Sequence, residues 1–163
     1  MTKDEELGCP AWLESLTTEL HLEVQEQAEQ AREAARYHSA IAAKLRVLWP
    51  SVKERARAAT STLQLRGKTE RERRVGFSLV PDGFRLHVTH FPAADISLIL
   101  EEAGHLIRVS ETYQKHASSQ AETRTRQIDI GLQGESLTME IGDHFLLGED
   151  ALLGFAFRQV LKR

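Results

Sequence analysis

The stretch Val75-Gly76-Phe77-Ser78-Leu79-Val80-Pro81-Asp82-Gly83-Phe84-Arg85-Leu86-His87-Val88 decides the fold. Apolar residues alternate with small, polar or charged ones on both sides of Asp82-Gly83. Alternation of period two is the mark of a strand with one buried face. Asp-Gly between two such runs is a strong signal for a two-residue hairpin turn. Centring the turn there pairs Leu79 with Leu86, Phe77 with Val88 and Val75 with His90. A three-residue Pro-Asp-Gly loop would pair Ser78 with Leu86 and break the apolar face, so the two-residue turn is preferred.

The same pattern extends in both directions. Downstream, Ala103-Gly104 would pair Leu100 with Ile107 and Leu98 with Val109. Gly134-Glu135 would pair Leu132 with Leu137, Ile130 with Met139 and Ile128 with Ile141. Upstream, Leu63 and Leu65 suggest one more strand, joined to the first hairpin by a charged turn over Lys68 to Glu72. The polar stretch Gln114 to Glu122 reads as a loop. The sum is about seven antiparallel strands, one face packed and the other wet. Phe77, Leu79, Leu86, Val88, Ile130 and Met139 belong to the packed face, and Arg85, His87, Gln127 and Glu140 to the wet one. Gly148 to Leu161 reads as a short helix with Leu152, Phe155, Ala156 and Val160 on one side.

On the N-terminal side, Ala11 to Trp49 contains neither Gly nor Pro and is rich in good helix formers. Leu20, Val24, Gln27, Ala31, Ala34, His38, Ile41, Leu45, Leu48 and Val52 recur at alternating steps of four and three, a heptad seam. Its middle is small or polar. Helix propensity dips at Tyr37-His38-Ser39, where a break is the alternative to one continuous helix. Pro50 should kink or end the helix, with a short continuation through Ala59. The fold class is α+β: a long N-terminal helix packed on an antiparallel meander of about seven strands, with a short C-terminal helix. One domain is expected over 1–163, with a helical arm at 1–60, the sheet at 61–142 and the last helix at 143–163.

Length and composition agree. The chain has 163 residues, 41% of them hydrophobic and 28% charged, which suits a single globular domain. No apolar run reaches the ~18 residues of a membrane span, so no membrane association is expected. The acidic start, with Asp4, Glu5 and Glu6, is unlike a signal peptide. A lone Cys9 fits a reducing compartment, and the cytoplasm is the expected location. The net charge of −3 conceals a polarity. Residues 1–35 are strongly acidic and residues 44–74 strongly basic. Arg66, Lys68, Arg71, Arg73, Arg74 and Arg85 form a candidate anion or nucleic-acid patch. Only Phe91 could stack on a base, and recognition of RNA on a sheet needs several aromatics. Nucleic acid is therefore not the expected partner.

No catalytic, cofactor-binding or metal-binding motif is recognisable. Gly67-Lys68-Thr69 lacks the first glycine of a phosphate loop, since position 62 is Thr62. Gly76-Phe77-Ser78-Leu79-Val80 lacks the last glycine of a nucleophile elbow. His87 and His90 should point to opposite faces of a strand. His144 follows Asp143, His105 adjoins a turn, His116 lies in the polar loop, and His38 sits in the seam as a polar register marker. Asp129 should face Glu140 across a hairpin, a pairing that destabilises unless a cation or a shared proton relieves it.

The expectation is a small self-associating interaction or scaffold protein without enzymatic activity. The alternatives are a small-molecule-binding domain, an enzyme among the options, using the concave face of a curled sheet, and a weak nucleic-acid binder through the basic first hairpin. A straight helix over 11–49 would be ~58 Å long, against a diameter of roughly 40 Å for a compact domain of this length. Seven strands span roughly 34 Å at ~4.8 Å spacing, whereas two helices cover only ~20 Å of that face. Both mismatches leave apolar surface for a second copy. The expected contact is a homodimer through the first helix, using Leu20, Val24, Gln27, Ala31, Ala34, His38, Ile41, Leu45 and Leu48. Charge favours an antiparallel pair crossing at Ala31 and Ala34, with Glu19 and Glu26 opposite Lys44 and Lys53.

Overall fold

A computed structural model describes residues 8–162; Asp4, Glu5 and Glu6 lie outside the described residues. Helix α1 spans Ala11–Arg66 and is followed by the single turn α2, Glu70–Arg73. Seven strands come next: β1 Gly76–Val80, β2 Gly83–Val88, β3 Ala93–Leu100, β4 Ile107–Gln114, β5 Glu122–Gln133, β6 Ser136–Ile141 and β7 His144–Leu147. Helix α3 spans Gly148–Leu161. The fold is α+β, with every strand antiparallel to its sequence neighbour in the order β1 to β7. The chain divides into two compact units, one ending at His38 and the other beginning at Ser39.

The helix runs past both points where the sequence suggested it might stop. It is helical through Tyr37-His38-Ser39 and beyond Pro50 to Arg66. Pro50 and Arg46 are both exposed. The carbonyl of Arg46, which Pro50 cannot serve, is on the solvent side, where water can bond it. Trp49 and Val52, either side of the proline, are buried. The expected strand at Leu63 and Leu65 is instead the last part of α1. Val52, Ala56 and Thr60 are buried and Leu63 packs beside them, a spacing of helical period. Leu65 is left exposed. Gly67 ends the helix, its N–H reaching the carbonyl of Leu63 at 2.8 Å. The charged stretch after it is not a plain turn but a capped helical turn. The Thr69 hydroxyl accepts from the N–H of Glu72, whose carboxylate accepts from the N–H of Thr69 and of Lys68. These two bonds hold the Glu72 carboxyl below the usual carboxylate range.

The later hairpins have the expected registers. Leu98 pairs with Val109 and Leu100 with Ile107; Ile130 pairs with Met139 and Leu132 with Leu137. The first hairpin is shifted. Phe77 pairs with Leu86, Leu79 with Phe84 and Val80 with Gly83, so the turn residues are Pro81 and Asp82. Asp82 takes the positive φ of 58°, and its carbonyl accepts from the indole of Trp49 at 2.9 Å and the N–H of Leu100 at 2.8 Å. Gly83 is needed elsewhere. A Cβ there would collide with the carbonyl oxygen of Leu98 and lie 2.9 Å from the Cα of Ile99. The glycine lets β3 approach, and the turn moves one residue back. The shift is an even one, so side chains keep their faces. Leu79 is the exception to the expected burial. It lies one residue from the end of an edge strand and is 66% exposed.

The packed face carries Phe84, Leu86, Val88, Ile96, Leu98, Ile107, Val109, Ile128 and Met139, all buried. Phe77 and Ile130 pack at its margin. Arg85, Gln127 and Glu140 are exposed on the other face, with His87 half-buried against Gly76. Two helical segments cover the packed face. From α1 come Ile41, Leu45, Trp49, Val52 and Ala56, and from α3 Leu152, Phe155, Ala156 and Val160. The Trp49 and Phe84 rings meet at 6.1 Å. Arg55 joins the helices, pairing with Glu149 and Asp150 in the first turn of α3.

Candidate functional site

The seam of α1 is divided in use. Ile41 and Leu45 are fully buried in the chain's own core, and Leu48 is half-buried. Leu20, Val24, Gln27, Ala31, Ala34 and His38 are all exposed. Two residues earlier on the same seam, Leu13 and Thr17, extend it; Leu13 is half-buried and Thr17 exposed. Beside it, Leu16 is 42% and Tyr37 43% exposed. From residue 11 to residue 38, Leu13 is the one position that is not exposed. Helices in proteins draw most of their stability from burying an apolar face. Here the seam lies open along seven turns, apolar at Leu20 and Val24 and small or polar from Gln27 to His38. Lys53 and Lys44, expected opposite a partner's acidic residues, are half-buried on the part of α1 that packs on the sheet.

Four of the six candidate anion-binding residues have partners within the chain. Arg71 donates to the carbonyl of Val160 at 3.0 and 2.8 Å and to that of Pro92 at 2.6 Å. It closes the end of α3, where helix carbonyls lack intrahelical donors. Burial pushes its pKa down, opposed by the Tyr113 phenol. Arg73 donates to the carbonyl of Gly67, Arg74 pairs with Glu70, and Arg85 pairs with Asp95. Arg66 and Lys68 are exposed at the end of α1. Much of the positive charge is therefore spent on internal contacts.

Asp129 does face Glu140. Both are exposed, and Asp129 accepts a bond from the amide of Gln127 at 3.3 Å. Water can screen the repulsion there. Among the described residues no three of His, Cys, Asp and Glu gather as a metal site. His87 and His90 each have a buried Nδ1 without a hydrogen-bond partner. Cys9 is exposed.

One cluster escaped the sequence. Glu111 is on the packed face, opposite Ile96 on one side and Arg124 on the other. Its carboxylate, 8% exposed, accepts from Arg124 at 2.9 Å and from Arg126 at 2.9 Å. The Arg126 guanidinium lies 5.6 Å from the centre of the Phe155 ring of α3, within cation–π range. Glu122-Thr123-Arg124-Thr125-Arg126-Gln127-Ile128 belongs to β5, but charged residues occupy its packed positions, so the apolar alternation that marks a strand is missing there. A second unexpected feature is a groove of about 750 Å³ whose lining includes Lys44, Val47, Leu48, Leu137, Met139 and Glu149. It is largely apolar and open to solvent. No helix among the described residues is long and apolar enough to cross a membrane. No protein-family model matches the chain, and neither a curated protein nor a solved structure does.

Proposed function

We propose that this protein is a self-associating interaction module, without an enzymatic role, whose contact surface is the α1 face from Leu13 to His38. The observation that carries this reading is the exposure of every seam position from Thr17 to His38 in a single chain, with Leu20 at 50% and Val24 at 62%. Contiguous apolar surface of this kind marks interaction sites. The reducing conditions of the cytoplasm, which would keep exposed Cys9 a thiol, suit it. Light scattering at tens of micromolar protein should give the mass of a dimer. Val24→Glu or Ala34→Arg should shift it toward the monomer, because each places a charge in the seam. A monomeric mass for the unaltered protein refutes the proposal.

A second reading is supported by the groove beside Val47 and Leu137, whose volume lies within the ~300–1,000 Å³ of ligand pockets. An apolar small molecule held there would raise the melting temperature, and Leu137→Lys would abolish the effect. Nucleic-acid binding has less support, since Arg71, Arg73, Arg74 and Arg85 already hold internal partners.

A further inference from the structure

We infer that two copies pair antiparallel and in one register along α1, with Leu13 of one copy opposite His38 of the other. The inference rests on the self-association proposed above and adds the partner's orientation and contacts. Its starting point is where the open seam stops. Ile41 and Leu45 are fully buried in the chain's own core, so a partner helix finds exposed seam positions only up to His38. An antiparallel pair buries the whole exposed seam, about 38 Å at ~1.5 Å per residue, when residues 13 and 38 face each other.

Three features of that register agree. The seam is large at one end and small at the other. Leu13, Leu20 and Val24 occupy the first half, and Ala31 and Ala34 the second. In the proposed register Leu20 faces Ala31 and Thr17 faces Ala34, each a larger residue against a smaller one, and Val24 faces Gln27, a pair of similar bulk. A parallel pair would set Leu20 on Leu20, a well-packed layer, but Ala31 on Ala31 and Ala34 on Ala34, leaving the second half thinly packed, which costs stability. On the flank, positions 16 and 37 face each other, joining Leu16 to Tyr37, both exposed in the single chain. Charge gives the same orientation. Residues 11–26 carry Glu14, Glu19, Glu23 and Glu26 and no Lys or Arg, whereas residues 27–38 balance Glu29 and Glu33 with Arg32 and Arg36. The antiparallel arrangement separates the two acidic halves, and the parallel one superposes them. Charge of this kind selects orientation more than affinity.

Disulfide trapping tests the register. Two single variants, Leu20→Cys and Ala31→Cys, are made in a Cys9→Ser background, since Cys9 is exposed. Both positions are exposed, so neither change disturbs the core. Facing seam residues bring Cα atoms within the ~4.4–6.8 Å a disulfide needs. Two copies of residue 20 would be about 16 Å apart along the antiparallel pair. The mixture of the two variants should give a covalent heterodimer on mild oxidation, and each variant alone should stay uncrosslinked. Cross-linking of each variant with itself would overturn the inference in favour of a parallel pair. A dimeric mass with no cross-link in the mixture would overturn the register and leave self-association standing. A monomeric mass would remove both.

Discussion

Replacing Arg71 by Met keeps the aliphatic stem and deletes the guanidinium. The carbonyls of Val160 and Pro92 then lose donors at 2.6–3.0 Å. Hydrogen bonds from a charged donor contribute about 1.5–3 kcal/mol each when buried. This site is half-buried, so water recovers part of the loss, and a destabilisation of about 2–4 kcal/mol is expected. For the unit Ser39–Arg163, unfolding entropy of ~2.1 cal/mol/K per residue converts that into a melting-temperature drop of roughly 8–15 °C. Urea unfolding followed by circular dichroism would measure it, with an unchanged m-value showing that the compactness of both states is preserved. Arg71→Lys should recover less than half, because one ammonium cannot span both carbonyls as the guanidinium fork does. Arg73→Met is the control: it removes a single exposed bond to the carbonyl of Gly67 and should cost under about 1 kcal/mol. If Arg71→Met came within ~0.5 kcal/mol of the unaltered protein, Arg71 would not be the clasp of α3, and its charge would again be open to an external anion.

Glu111→Ala should cost about 2–3 kcal/mol, because it leaves the partly buried Arg126 uncompensated beside the core while water can solvate the half-exposed Arg124; chemical denaturation reads this directly. Gly83→Ala should cost about 3 kcal/mol or more by pressing on the Leu98 carbonyl. Gly134→Ala, with open space but φ of +65°, should cost only about 1 kcal/mol, and equal losses would contradict the close approach of β2 and β3. The depressed Glu72 carboxyl contributes stability above its unfolded pKa and loses it as pH falls through the lower folded value. The stability difference between the unaltered protein and Glu72→Gln should therefore shrink between pH 7 and pH 3; a difference that grows would reverse the sign assigned to Glu72.

Turns were legible where glycine serves the turn itself. Gly104 and Gly134 have φ of +78° and +65°, and the hairpins they close have the registers read from their position. Gly83 looked the same in the sequence but serves a contact between β2 and β3, which local pattern cannot show. At Leu63 and Leu65, five residues of alternation competed with a helical spacing that began at Ile41, and the longer pattern won because it was already anchored on the core. The open stripe of α1 was legible as a seam, but the sequence did not show that the chain's own core takes Ile41 and Leu45 from it. The Glu111 triad was not legible, because its positions obey the strand period with residues of the wrong polarity.

In the meander every strand bonds to its neighbour in sequence, so each pairing closes a short loop and costs little chain entropy. Helix α3 does not follow this pattern. It packs on β2 and β3 as well as on β6 and β7, and its clasp joins Arg71 to Val160 across 89 residues. Folding should thus divide into rapid local strand pairing and one late step of high contact order. Before that step, Phe84, Leu86, Ile96 and Leu98 lack the α3 part of their cover. A chain truncated after Leu147 would be held at that stage, a sheet half-bare on its apolar side and unpaired at β1 and β7. The bare apolar face of such a species invites aggregation, and the fourteen residues of α3 are part of what covers it.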